Sequence, residues 1–183
     1  MKNSMFIFVI ILIFALQESN AQVGKGSYLV SALGSANLEV REDEDNLFRI
    51  SIASEVAKFL TNKFALGGGI GITYQDLDSQ NNRFVSNISS NVRYYFTGFK
   101  KNPAFYLRGQ VGLAMINEKI NSLTEREGGL LYSIGLGASH FITENICVDS
   151  LLTYSRVEGG INISNFRFNI GFLVFLRKKE QEM

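Results

Sequence analysis

Side chains able to do chemistry are few in this chain, and the charged ones follow a pattern. Arg49, Glu55, Arg93, Arg108, Asp149 and Arg167 each interrupt a largely apolar stretch. They share their every-second-residue phase with Gly, Ser, Asn and Thr, while bulky apolar residues occupy the other phase. Carboxylates and guanidiniums on one face of a sheet can neutralise one another or line a polar path. Unpaired charges in a narrow space are costly, so Glu55 and Asp149 are expected to pair with some of Arg93, Arg108 and Arg167.

The remaining candidates each have a plainer explanation. His140 is the sole histidine, and the spacing fixes no acid or nucleophile beside it. A lipid hydrolase needs Ser and His within hydrogen-bond reach and a third group orienting the base, so His140 reads as an interfacial residue. Cys147 shares its phase with Asp149 and small residues; a lone thiol there fills space. The cluster Gly67 to Gly71 lacks the Gly-Lys-Ser/Thr ending of a phosphate loop, so it shapes the backbone. The acidic run from Arg41 to Asn46 could hold a divalent cation bridging to lipopolysaccharide phosphates, but it matches no EF-hand spacing and reads as a solvated loop. No catalytic residue, metal or cofactor is expected.

Composition narrows the classes further. The 183 residues are 46% hydrophobic and 19% charged, with one Pro, one Cys and no Trp. So apolar a chain is neither a disordered tail nor collagen, and one Cys excludes a disulfide scaffold or a four-cysteine zinc module. With 18 basic against 17 acidic residues there is no electrostatic footprint for nucleic acid.

The elements that must position these residues begin after a distinctive leader. Lys2 precedes an apolar run from Met5 to Leu16, and Ser19, Asn20 and Ala21 follow it. This is the pattern of a secretory signal peptide over residues 1–21, cut before Gln22. A run of about 12 apolar residues falls short of the ~18 to 20 that a spanning helix requires.

Beyond Gln22 the chain alternates with period two. Phe64, Leu66, Ile70, Ile72 and Tyr74 share one phase, and Phe166, Phe168, Ile170, Phe172 and Val174 do the same near the end. Comparable segments run from Tyr28 to Val40, Leu47 to Phe59, Phe84 to Phe96, Phe105 to Ile116, Leu130 to Phe141 and Ile146 to Tyr154. The reading is all-β, about eight strands of roughly 10 to 13 residues, without a helical stripe. Connections alternate in length. Leu60 to Lys63 and Thr143 to Asn145 are tight; Arg41 to Asn46, Gln75 to Arg83, Asn117 to Glu127 and Arg156 to Asn165 are longer and polar. The connection Thr97 to Pro103 holds the only Pro. Short turns at one end and long loops at the other predict an eight-stranded antiparallel up-and-down transmembrane β-barrel over residues 22–176, followed by a charged tail over 177–183.

A magnitude decides which face meets lipid. An Arg near the bilayer midplane costs about 2 to 4 kcal/mol, so several outward charges would cancel the ~5 to 15 kcal/mol holding a typical domain together. In a membrane the bulky face must therefore look out. The alternative is a soluble lipocalin-like carrier with its polar face in water. A wet face would carry many Lys and Glu, whereas Lys25, Lys63, Lys100, Lys101, Lys119, Lys178 and Lys179 fall in turns, loops or the tail. Aromatic placement points the same way. Phe48, Tyr74, Phe84, Tyr132, Tyr154 and Phe166 fall at the long-loop ends, and Tyr28, Phe64, Phe96 and Phe105 at the short-turn ends, two girdles suited to lipid interfaces. Eight strands leave little bore, so a polar plug is expected rather than a conducting path. A narrow channel for ions or small solutes is the alternative.

Gly24-Lys25-Gly26-Ser27-Tyr28, the stretch Thr61-Asn62-Lys63-Phe64 continuing to Gly71, and Thr143-Glu144-Asn145-Ile146 give the mature chain a family likeness. It resembles the small porin-like outer-membrane β-barrels common in Bacteroidetes. The resemblance implies an outer-membrane location, contact with outer-membrane lipid and lipopolysaccharide, handling by the assembly machinery, a monomer, and no enzymatic activity. Such barrels commonly finish on an aromatic residue; here Phe175 is followed by Leu176 and the charged tail.

Overall fold

The computed structural model describes residues 23–39, 47–78, 81–99, 101–120, 123–159 and 163–176. The leader, the acidic run at 41–46 and the tail at 177–183 lie outside them. Eight strands follow one another: β1 (Tyr28–Glu39), β2 (Leu47–Phe59), β3 (Phe64–Asp78), β4 (Asn81–Tyr95), β5 (Ala104–Ile120), β6 (Leu123–Phe141), β7 (Ile146–Gly159) and β8 (Ile163–Leu176). Each pairs antiparallel with the next, and β1 closes on β8 through a ladder from Tyr28–Leu176 to Gly34–Ile170. Along that ladder the wall has no open edge, whereas residues 35–39 of β1 and 163–169 of β8 extend beyond it.

Alternation sets which side chains face the axis. Ile70 is 63% exposed and Phe168 58%, whereas Arg108 is 7% exposed and Arg93 fully buried. Bulky residues therefore cover the outside, and charged and small ones fill the centre. A soluble carrier has the reverse arrangement.

The two tight turns share one device. Thr61 Oγ1 accepts from the backbone N–H groups of Lys63 and Phe64, and Thr143 Oγ1 does the same for Asn145 and Ile146. Each Thr supplies the acceptor that a hairpin otherwise lacks at its corner.

β1 and β2 have the expected length, and the other six strands are longer than the sequence suggests, from 14 residues in β7 and β8 to 19 in β6. Most of Gln75–Arg83, Asn117–Glu127 and Arg156–Asn165, read as loops, continues the ladders instead. β5 and β6 stay paired as far as Ile120 and Leu123, which makes Lys119 a strand residue. The reason is that polar residues mark where a strand leaves lipid, and not where its hydrogen bonding stops. Only about 9 to 11 tilted residues are needed to cross the hydrocarbon.

Candidate functional site

The interior is built in layers, starting at the short-turn end. There Phe59, Phe141 and Phe175 point inward with Tyr95 and Tyr106, all of them buried. Phe99, from the β4–β5 connection, completes this layer. The preceding Gly98 takes a positive φ of 69°, which turns the chain so that Phe99 enters the barrel mouth. Its ring centroid lies 4.5 Å from Tyr95, 5.4 Å from Phe59 and 5.6 Å from Phe175. These tilted and edge contacts close that end with aromatic carbon.

An ionic layer rests on the aromatic one. Arg93 on β4 pairs with Glu55 of β2 and reaches Asp149 Oδ2 of β7 at 3.5 Å. Arg108 of β5 donates from Nε and Nη2 to Glu55 Oε2, at 3.1 and 2.8 Å. Asp149 is further held by Tyr106 OH, donating at 2.6 Å, and by Ser139 Oγ at 2.8 Å. Arg93 also sits over the Tyr106 ring, 4.7 Å from its centroid. Two guanidiniums and two carboxylates thus neutralise each other, as charge burial requires, while Arg93 Nε has no hydrogen-bond partner among the described residues. Gly137, opposite Tyr106 on β6, makes room for that ring: a Cβ there would collide with it. Gly69 similarly faces Glu55, and a side chain would press on the Glu55 Cβ.

Above this layer neutral polar side chains line the lumen, with further arginines among them. Arg108 Nη1 donates to Gln110 Oε1 at 2.9 Å, Gln110 Nε2 donates to Ser89 Oγ at 2.6 Å, and Ser133 donates back to Gln110 at 3.0 Å. A cavity of about 90 Å³ opens here, bordered by Glu55, Arg108, Gln110, Asn169 and Arg167. Arg167 lies apart from the ionic layer and bonds Asn165, Ser51 and Thr73. Arg49 donates to Gln75 Oε1 at 2.8 Å, and Arg83 pairs with Glu118 at 2.8 Å. A second apolar cluster of Ala114, Ile116, Leu131 and Val157 fills part of the same upper region.

The six charged residues singled out by spacing all face the lumen, but only Glu55, Arg93, Arg108 and Asp149 meet in one network. Sequence reasoning missed Tyr95, Tyr106 and Phe99, because it assigned aromatics to the outer face. The available signal was phase: Tyr95 and Tyr106 stand on the inward positions shared by Arg93 and Arg108. Of the aromatic set, Tyr28, Phe48, Tyr74, Phe84, Phe96, Phe105 and Phe166 are exposed on the outer wall, and Phe64, Tyr132 and Tyr154 are half-buried there. Tyr132 OH donates to Glu158 at 2.7 Å, and Tyr154 packs on Phe166 with centroids 4.9 Å apart. His140 stands on the outward phase opposite Val148, and Cys147 is buried beside the Leu173 carbonyl.

A closed eight-stranded barrel with a lipid-compatible apolar wall and a charge-filled axis defines the class of small outer-membrane barrels. The sequence agrees: the family model for the outer membrane protein beta-barrel domain matches residues 6–173, and the chain belongs to that family. It is thus a protein of the outer-membrane bilayer. No curated protein matches the chain. Among solved structures, it is similar to the N-terminal beta-barrel domain of Pseudomonas aeruginosa OprF, at TM-score 0.58 and 18% identity over 84% of this chain and 99% of that one. Neisserial surface protein A is similar at TM-score 0.58 and 13% identity, over 84% of this chain and 97% of that one. Yersinia pestis Ail, the attachment invasion locus protein, is similar at TM-score 0.54 and 10% identity, over 83% and 99%. At such identities the likeness concerns the fold.

Proposed function

We propose that this chain is a sealed, non-enzymatic barrel that serves the envelope structurally and through contacts made by its exposed loops. The filled lumen carries the proposal. The aromatic layer around Phe99 and the Glu55–Arg93–Arg108–Asp149 network lie across the bore in succession, and Arg93 and Asp149 are fully buried. A solute would have to break both layers to pass.

The leader is removed before Gln22, the assembly machinery inserts the barrel, and the chain works as a monomer akin to the porin-like barrels of Bacteroidetes. The ten aromatic positions anchor it at the two lipid interfaces, where amphipathic rings are favoured, and its outer rim meets lipopolysaccharide. Planar-bilayer recording of the refolded full chain tests the sealed lumen. It should give no large, steady single-channel currents; such currents would make it a narrow channel instead.

A further inference from the structure

We infer that the upper lumen binds a small monovalent anion, of chloride size, against the guanidinium of Arg167. The first observation is a contrast between Arg167 and three other lumen arginines. Arg83, Arg93 and Arg108 each have a carboxylate within ion-pair distance. Arg167 has none among the described residues. Its Nη1 donates to Ser51 Oγ at 3.1 Å and Thr73 Oγ1 at 3.2 Å, while Nε and Nη2 donate to Asn165 Oδ1 at 3.2 and 3.1 Å. Every one of these acceptors is a neutral oxygen.

Arginine cannot shed its proton to escape this position, so its charge stays where it stands. Among the described residues, no carboxylate of the neighbouring layers lies within ion-pair distance of it. Below, Glu55 also borders the cavity, but its oxygens are engaged by Arg93 and Arg108, and with Asp149 that layer is already neutral. The upper apolar cluster contributes no charge. Enclosed in the barrel, the field of one guanidinium is screened less than in bulk water.

The second observation is space in the right place. Arg167 borders the cavity of about 90 Å³, together with Thr153, Ser155 and Asn169. That volume admits a few water-sized species, enough for one halide with accompanying water but not for a bulky organic acid. Its four bonds to protein leave one of the five guanidinium N–H groups, on Nη2, without a protein acceptor. Water there would solvate the cation; a single anion would also neutralise it. A divalent anion would replace an excess positive charge with an excess negative one.

Two measurements test the inference, and neither depends on whether the barrel conducts. Crystals of the full chain soaked in sodium bromide, measured at the bromine edge, should show an anomalous peak in the lumen beside Arg167. Bromide confined to the outer surface, as an adventitious ion only, or a lumen without a peak would overturn it. Detergent-folded full chain, titrated with sodium chloride against sodium gluconate at constant ionic strength, should show a saturable rise in unfolding midpoint that Arg167→Met abolishes. An equal chloride response in both proteins, or none in the wild type, would contradict the site. If Arg167→Met does not fold, the bromide map on the wild-type chain decides alone.

Discussion

Arg93 ties the lumen together, because one guanidinium touches both buried carboxylates and the Tyr106 ring. Removing one member of a buried ion network leaves its partners uncompensated, at a cost of about 3 to 5 kcal/mol. Arg93→Met should therefore lower the stability of the vesicle-folded barrel by that amount in urea titrations. Arg93→Lys should fall between the two, since an ammonium cannot fork toward Glu55 and Asp149 together. Gly137 offers a second test. Gly137→Ala should cost about 1 to 3 kcal/mol by overpacking against Tyr106, and much less in a Tyr106→Ala background. Equal costs in both backgrounds would break the proposed contact. Phase alone placed Arg49, Glu55, Arg93, Arg108, Asp149 and Arg167 in the lumen. Their grouping was not legible, because closure of eight staggered strands decides who meets whom, and sequence spacing does not encode the stagger. Tyr106 shows the limit: nothing in its neighbourhood announces a phenol aimed at a carboxylate 43 positions away.

Among the elements, the β5–β6 hairpin departs most from its expected form. At about 3.3 Å per residue, its 19-residue second strand extends roughly 60 Å, far more than a tilted strand needs for ~30 Å of hydrocarbon. Its upper part therefore rises out of the hydrocarbon. Replacing residues 119–124 by Asn-Gly should leave a barrel that folds, with an unfolding midpoint near that of the wild type. Failure to fold would mean that the protruding ladder is required by the barrel itself. The tight turns were legible because Thr61 and Thr143 stand in sharp polar interruptions of the alternation. The upper strand ends were not, since charged residues outside lipid suit a paired strand as well as a loop. At the opposite end, Phe99 belongs to a connection and yet completes the aromatic layer. Phe99→Ala should destabilise the barrel by about 3 to 5 kcal/mol in the same urea assay, as large aromatic deletions from packed cores do.

For the molecule as a whole, one arrangement underlies the fold, the membrane assignment and the lumen: bulky apolar residues face outward, and charges face the axis. The family match to an outer-membrane barrel domain agrees with that arrangement. The absence of tryptophan provides a clean background for measuring it. Single tryptophans at Ile70→Trp and Phe168→Trp, in full chain folded into vesicles, can be probed with lipids brominated on their acyl chains. Both should be strongly quenched, because those positions touch hydrocarbon. Emission from either that is indifferent to brominated acyl chains would contradict the account.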